Sequence, residues 1–175
     1  MRRLFLFLLI VLMSSLVMAQ ETNVLRLVAD NVITNAVDGS QTIFNSEDVF
    51  KSWIDPDFKG WNLNKPDKKT PEIKTQVYEM AQDANVKQMF GSLNDDLDKL
   101  CLTQNQITEF CISNQKYLKK DGRSIFFPFK VDGKYYVARV HVRSGGLSVG
   151  VGRFGFGGVW RAGGAHRVVV LQRGA

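Results

Sequence analysis

The segment Ile125–Arg143 constrains this chain most. Ile125-Phe126-Phe127-Pro128-Phe129-Lys130-Val131 is followed by Asp132-Gly133, and Lys134 to Arg143 then reads KYYVARVHVR. An Asp-Gly pair between two runs rich in β-branched and aromatic residues is a hairpin signal. Glycine accepts positive φ, and the resulting turn matches the twist of the strands. Ser144-Gly145-Gly146 turns again, and Leu147, Val149 and Val151 alternate with Ser148, Gly150 and Gly152. A final strand is expected at Arg167 to Gln172. Pro128 lacks an amide donor, so its strand is expected at an edge or with a bulge. Alternation sends Tyr136, Ala138, Val140 and Val142 to one face of the second strand and Tyr135, Val137, Arg139, His141 and Arg143 to the other.

Upstream the pattern changes. Thr70-Pro71-Glu72 offers an N-cap, a proline at the first helical position and an acid in the first turn. Ile73, Val77, Met80 and Ala84 follow at helical spacing. A second stripe runs Val86, Phe90, Leu93, Leu97, Leu100 and Cys101, with a break expected at Gly91-Ser92. Thr103 and Gln106 form a capping box ahead of Ile107, Phe110 and Cys111, and Asp121-Gly122 is expected to stop that helix. A shorter helix is expected over Glu47 to Ile54, and residues 24–34 fit a strand. The expected fold is α+β, with N-terminal and central helices packed on a C-terminal four- to five-stranded antiparallel sheet, a β-meander over residues 124–172. The expected organisation is a signal peptide at 1–19, an N-terminal segment at 20–69, and a helical region plus meander at 70–175.

The address comes from the first residues. Arg2-Arg3, the ten apolar residues Leu4 to Met13, and small residues near Ala19 form a secretory signal pattern, with cleavage expected before Gln20. Export, periplasmic or extracellular, with no membrane span after cleavage, is the expectation. Sixteen residues from Leu4 to Ala19 fall short of the ~20 that cross a bilayer comfortably.

Charge divides the remainder. Residues 20–115 carry nine basic and fifteen acidic side chains, whereas residues 116–175 carry twelve basic and two acidic ones. Arg139, Arg143, Arg153, Arg161, Arg167 and Arg173, interleaved with Tyr135, Phe154, Phe156 and Trp160, present planar cations and stacking surfaces suited to anions. The sequence therefore favours a non-enzymatic binding module. Its expected site is Tyr135, Arg139, His141, Arg143, Arg153, Trp160 and Arg161. Its expected partner is an anionic envelope polymer, an acidic lipid surface or an acidic protein. Export argues against nucleic acid. The opposing reading is that the basic region neutralises the acidic one within the same chain.

Other motifs carry little. Gly150-Val151-Gly152-Arg153-Phe154-Gly155 matches a dinucleotide fingerprint, yet no helix pattern and no acid follow it, so a glycine-rich strand and loop is the better reading. Asp55-Pro56-Asp57 resembles the start of a calcium loop, but Lys59 and Pro66 stand where ligands belong. No cofactor or metal is expected. Cys101 and Cys111 fit either a disulfide or two buried thiols. The alternative function is a small secreted hydrolase using His141 or His166 with a carboxylate from the helical region.

Overall fold

The computed structural model describes residues 23–120 and 122–172. The segment expected to be a signal peptide, Asp121 and Arg173 lie outside the described residues. The chain is built mainly of strands: β1 (Leu25–Thr34), β2 (Trp53–Ile54), β3 (Ile73–Met80), β4 (Ala84–Asn85), β5 (Ile125–Val131), β6 (Lys134–Arg143), β7 (Gly146–Arg153), β8 (Val159–Trp160) and β9 (Arg167–Leu171). The helices are short: α1 (Asp57–Gly60), α2 (Val86–Gly91) and α3 (Gln104–Ser113).

Seven strands form one sheet in the order β1-β3-β9-β5-β6-β7-β2, and β4 with β8 forms a separate two-stranded ladder. The main sheet is mixed. β9 runs parallel to β5, β2 runs parallel to β7, and the other pairs are antiparallel. This overturns the expected α+β layout of helices on a C-terminal antiparallel meander. The meander is real only for β5-β6-β7. The last strand leaves it and inserts between β3 and β5.

Two local expectations fail for the same reason. Ile73 to Met80 is a central strand rather than a helix, bonded to β1 on one side and β9 on the other. Ile73, Thr75 and Val77 share one face of it by strand alternation. Thr75 is buried there and its hydroxyl donates to the Val32 carbonyl at 3.0 Å, which hides the strand pattern behind a polar residue. The segment expected as a helix from Glu47 is instead a turn leading into β2. Both places show strand pairing across the chain prevailing over local spacing.

The Asp132-Gly133 hairpin forms as its residues dictate. Both carry positive φ, 49° and 74°, the geometry of the tight turn that suits twisted strands. Pro128 lies on an interior strand, β5, but in a stretch of it that has a strand neighbour on one side only. β9 pairs with β5 only at Ile125 and Phe126, so Pro128 stands beyond that ladder. Its carbonyl accepts from Leu102 N at 2.9 Å on the side away from β6, where no strand requires the missing donor.

Both faces of the sheet are covered. On one face Phe127, Phe129, Ala138, Val140 and Val169 pack under α3 and the segment carrying Ile43, Phe50, Phe58 and Leu63. Phe110 of α3 meets Phe127 edge-on at 5.4 Å. Burying such a ring contributes about 1.5–3 kcal/mol. The capping box expected at the start of α3 is present: Thr103 Oγ1 accepts from Gln106 N, and Gln106 Oε1 accepts from Thr103 N. α3 is buried on its polar side too. Gln104 donates to the Leu63 carbonyl at 2.7 Å, and Asn105 accepts from Gly39 N at 2.9 Å. Gly39 has φ 82°, and a Cβ there would lie 2.4 Å from the Asp67 carbonyl, so only glycine fits.

On the other face Phe126, Val137, Val168 and Val170 form a second core with Val86, Met89 and Phe90 of α2, Met80, Ala84 and Leu100. The face that carries Tyr135, Val137 and Arg139 is therefore roofed at its centre, where Val137 is buried. No helix among the described residues is long and apolar enough to cross a membrane.

Candidate functional site: an arginine and aromatic cleft

Beside the second core lies a cleft of about 390 Å³. Its walls are Trp61, Val86, Val137, Val151, Phe156 and Trp160, and its two charged side chains are Arg139 and Arg153. The size falls at the lower end of the ~300–1,000 Å³ typical of small-molecule sites.

The β6–β7 register builds the floor. Val137 pairs with Gly152, and Arg139 pairs with Gly150. Paired residues of an antiparallel ladder project from the same face, so each of these side chains stands opposite a bare backbone. A Cβ at Gly150 would meet Arg139 Nη2 at 3.3 Å and Cζ at 3.8 Å, which places the guanidinium in the space the glycine leaves. A Cβ at Gly152 would meet nothing within 4 Å. One glycine accommodates the cation and the other leaves a gap.

The walls come from separate elements. β8 pairs with β4 and carries Trp160 over the sheet. Trp160 is held edge-on by Phe126 at 4.9 Å and His166 at 5.3 Å. The Arg139 Cζ lies 5.9 Å from the Trp160 ring centroid, within cation–π reach. β2 covers β7 only at Ser148 and Val149, so the cleft continues over the free edge of β7. There Arg153 stands 4.9 Å above Trp61, the residue that ends α1. Phe156, in the loop after β7, is 74% exposed at the rim.

Arg139 makes no hydrogen bond or ion pair with any described residue, and its Nε is enclosed without a partner. The carboxylate close by, Asp55, is committed to the main chain. Its Oδ2 accepts from Val151 N at 3.2 Å and its Oδ1 from Asp57 N at 3.1 Å. The Asp55-Pro56-Asp57 sequence thus serves as a turn that ties α1 to β7.

The residues expected to form one surface separate into groups. Arg139, Arg153 and Trp160 meet at the cleft. Tyr135 lies on the Arg139 face, but its hydroxyl donates to Asp98 Oδ1 at 2.8 Å, beside Lys130 at 2.7 Å. The Lys130 hydrogen bond, then that of Tyr135, holds the Asp98 carboxyl below its usual range, and the bond to Asp98 raises the Tyr135 phenol. Arg143 is exposed at the far end of β6, opposite Gly146. Arg161 is exposed ahead of the turn Ala162–Gly164, whose first amide donates to Asp83 at 2.7 Å.

Neither histidine has a carboxylate partner among the described residues. His141 Nδ1 lies 3.3 Å from the Gly122 carbonyl, and His166 Nδ1 accepts from Ser124 N at 3.0 Å. Burial depresses both rings below the ordinary histidine value; Arg143 and Arg139 add to this at His141, and His141 and Arg123 at His166. The described residues hold no group of three His, Cys, Asp or Glu side chains able to bind a metal. Cys101 and Cys111 are free thiols, half-buried and fully buried.

Trp61, Val86, Val137, Val151 and Gly152 complete the cleft without having been singled out by sequence as site residues. A usable signal was present: glycines at i and i+2 on a strand, opposite an arginine, announce a vacated strip of sheet once the register is known. No protein-family model matches the chain, and no curated protein or solved structure is significantly similar to it.

Proposed function

We propose that this chain is an exported, non-enzymatic binding protein that takes small organic anions into the Arg139–Trp160 cleft. The observation that carries this reading is the Arg139 guanidinium, held over Gly150 and Trp160 with its Nε enclosed and unpartnered. An enclosed polar group without a hydrogen bond costs about 1–3 kcal/mol, and more when charged. An incoming anion removes that cost and makes charge-assisted bonds to a group that is already oriented. The apolar walls exclude water and strengthen the attraction. Some other cations of the basic region are paired with acids, and Arg143 and Arg161 stand exposed at the surface. Arg167 lies 3.6 Å from Glu79, and Lys130 binds Asp98. An envelope polymer, acidic lipid or acidic protein would reach Arg139 only through a group small enough to enter the cleft.

Titration of the full chain with anilinonaphthalene sulfonate and with decanoate tests the reading. At least one of them is expected to bind, one per chain, with affinity that falls about tenfold or more in Arg139→Gln. Binding that is unchanged in Arg139→Gln, or the absence of binding by either anion, overturns it.

A further inference from the structure

Resting on that reading, we infer that the cleft is shaped for a planar aromatic carboxylate, with its ring over Gly152 and its carboxylate on the edge of the Arg139 guanidinium. Gly150 and Gly152 lie on one face of β7, two residues apart, which separates them by about 6.7 Å along the strand. The guanidinium fills the first position and nothing fills the second. A single strand position without a side chain is a shallow slot, with Val137 across the ladder and Trp160 and Phe156 also lining it. Such a slot admits a flat ring against the peptide plane and resists the thickness of a saturated one.

The polar end is also specific. The Arg139 Cζ lies 5.9 Å from the Trp160 ring centroid, and none of the guanidinium nitrogens has a hydrogen-bond partner among the described residues. A guanidinium edge is a fork that matches the two oxygens of a carboxylate. An aryl carboxylate keeps ring and oxygens nearly coplanar. It can therefore lie flat over Gly152 and still reach the fork over Gly150. Arg153, whose Cζ lies 4.9 Å from the Trp61 ring centroid, is the second cation lining the cleft. Asp55, close to Gly150, disfavours a second negative charge on the ligand.

The experiment is calorimetric titration of the full chain with naphthoate, its fully saturated decalin analogue and naphthamide. Arg139→Gln and Gly152→Val are measured beside the wild type, with Gly152→Ala as a milder filler. Naphthoate is expected to bind at least about tenfold more tightly than the saturated acid and the neutral amide. Each filler is expected to weaken naphthoate more than the saturated acid, valine more than alanine. Near-ultraviolet circular dichroism establishes that each variant is folded, and the wild-type comparison of three ligands stands without them. Equal binding of the two acids overturns the planar assignment while Arg139-dependent capture of anions survives. Equal binding of acid and amide overturns the carboxylate assignment. If no acid binds and decanoate and the sulfonate also fail, this inference falls together with the proposed function.

Discussion

Glu79 is the place where the acidic and basic parts of the chain are joined, and replacing it with glutamine tests that role. The residue lies on β3. One carboxylate oxygen accepts from Arg26 of β1 at 2.9 Å, and the other meets Lys119 at 2.9 Å and Arg167 of β9 at 3.6 Å. Their exposures decide the magnitude. The Arg26 side chain is 72% exposed, so its pair adds at most about 1 kcal/mol. Lys119 and Arg167 are 21% and 14% exposed, and Glu79 itself is 14% exposed. A hydrogen bond to a charged group in such a setting contributes about 1.5–3 kcal/mol, and the longer Arg167 contact adds less. Glutamine keeps the shape and one acceptor, so Glu79→Gln is expected to cost about 2 kcal/mol at neutral pH. The cost must depend on pH. Burial is the largest single influence on this carboxyl and opposes its charge, but Lys119, Arg26 and Arg167 together outweigh it and hold the group below its usual range. A carboxyl lowered in the folded state stabilises above its unfolded value of about 4.3 and loses that contribution as pH falls through the folded value. Urea unfolding at neutral pH and at about pH 3 is the assay, with the slope checked for constancy. A cost below about 0.5 kcal/mol at neutral pH, the level of an ordinary surface substitution, refutes the reasoning. So does a cost that is undiminished in acid.

Acid has a second target. His166 accepts from Ser124 N at Nδ1 and is depressed mainly by burial, so it is neutral in the folded chain near pH 7. The unfolded ring binds protons first, and stability is expected to fall as pH drops below about 6.5, a slope that His166→Gln flattens in thermal unfolding scans. The thiols are expected to be inert in the native chain: burial pushes Cys101 up to about 12 and Cys111 higher still. Alkylation at mildly alkaline pH should label neither quickly when folded and both in urea, and prior reduction should leave the intact mass unchanged. Thr103→Ala removes the cap of α3 and is expected to cost about 1 kcal/mol in urea unfolding, whereas Thr103→Ser keeps the hydroxyl and stays near wild type.

How much of this was legible in sequence follows from the distance over which each element is specified. The β5–β6 hairpin is specified within nineteen residues, because Asp132 and Gly133 fix the turn and the turn fixes the register. The capping box of α3 is specified within four residues. β3 is specified by neighbours far away: Val77 pairs with Ala29 on one side and Val169 on the other. Ile73, Val77 and Met80 satisfy a helical stripe as well as a strand, and only those partners decide between them. The site shows the same limit. Arg139, Arg153 and Trp160 were visible as a basic and aromatic cluster, but Trp61 and Val86 join them only through the fold.

The charge asymmetry gains its meaning from the same topology. Because β9 inserts beside β3, the basic tail does not form a separate positive surface; it is interleaved with the acidic front. Glu79 meets Arg167 and Lys119, and Asp98 meets Lys130. Internal neutralisation therefore accounts for part of the tail, as the opposing reading held. It does not account for Arg139 and Arg153, whose guanidinium groups lie against Trp160 and Trp61 instead of carboxylates. If those two arginines served only to balance the acidic front, the fold would pair them with carboxylates as it does Arg167. An indole face stacks a guanidinium but leaves its hydrogen-bond donors unspent. Arg143 and Arg161 likewise lie without an acid among the described residues, but away from the cleft; Arg139 and Arg153 are the ones that line it, and that placement is what supports the proposed capture of anions.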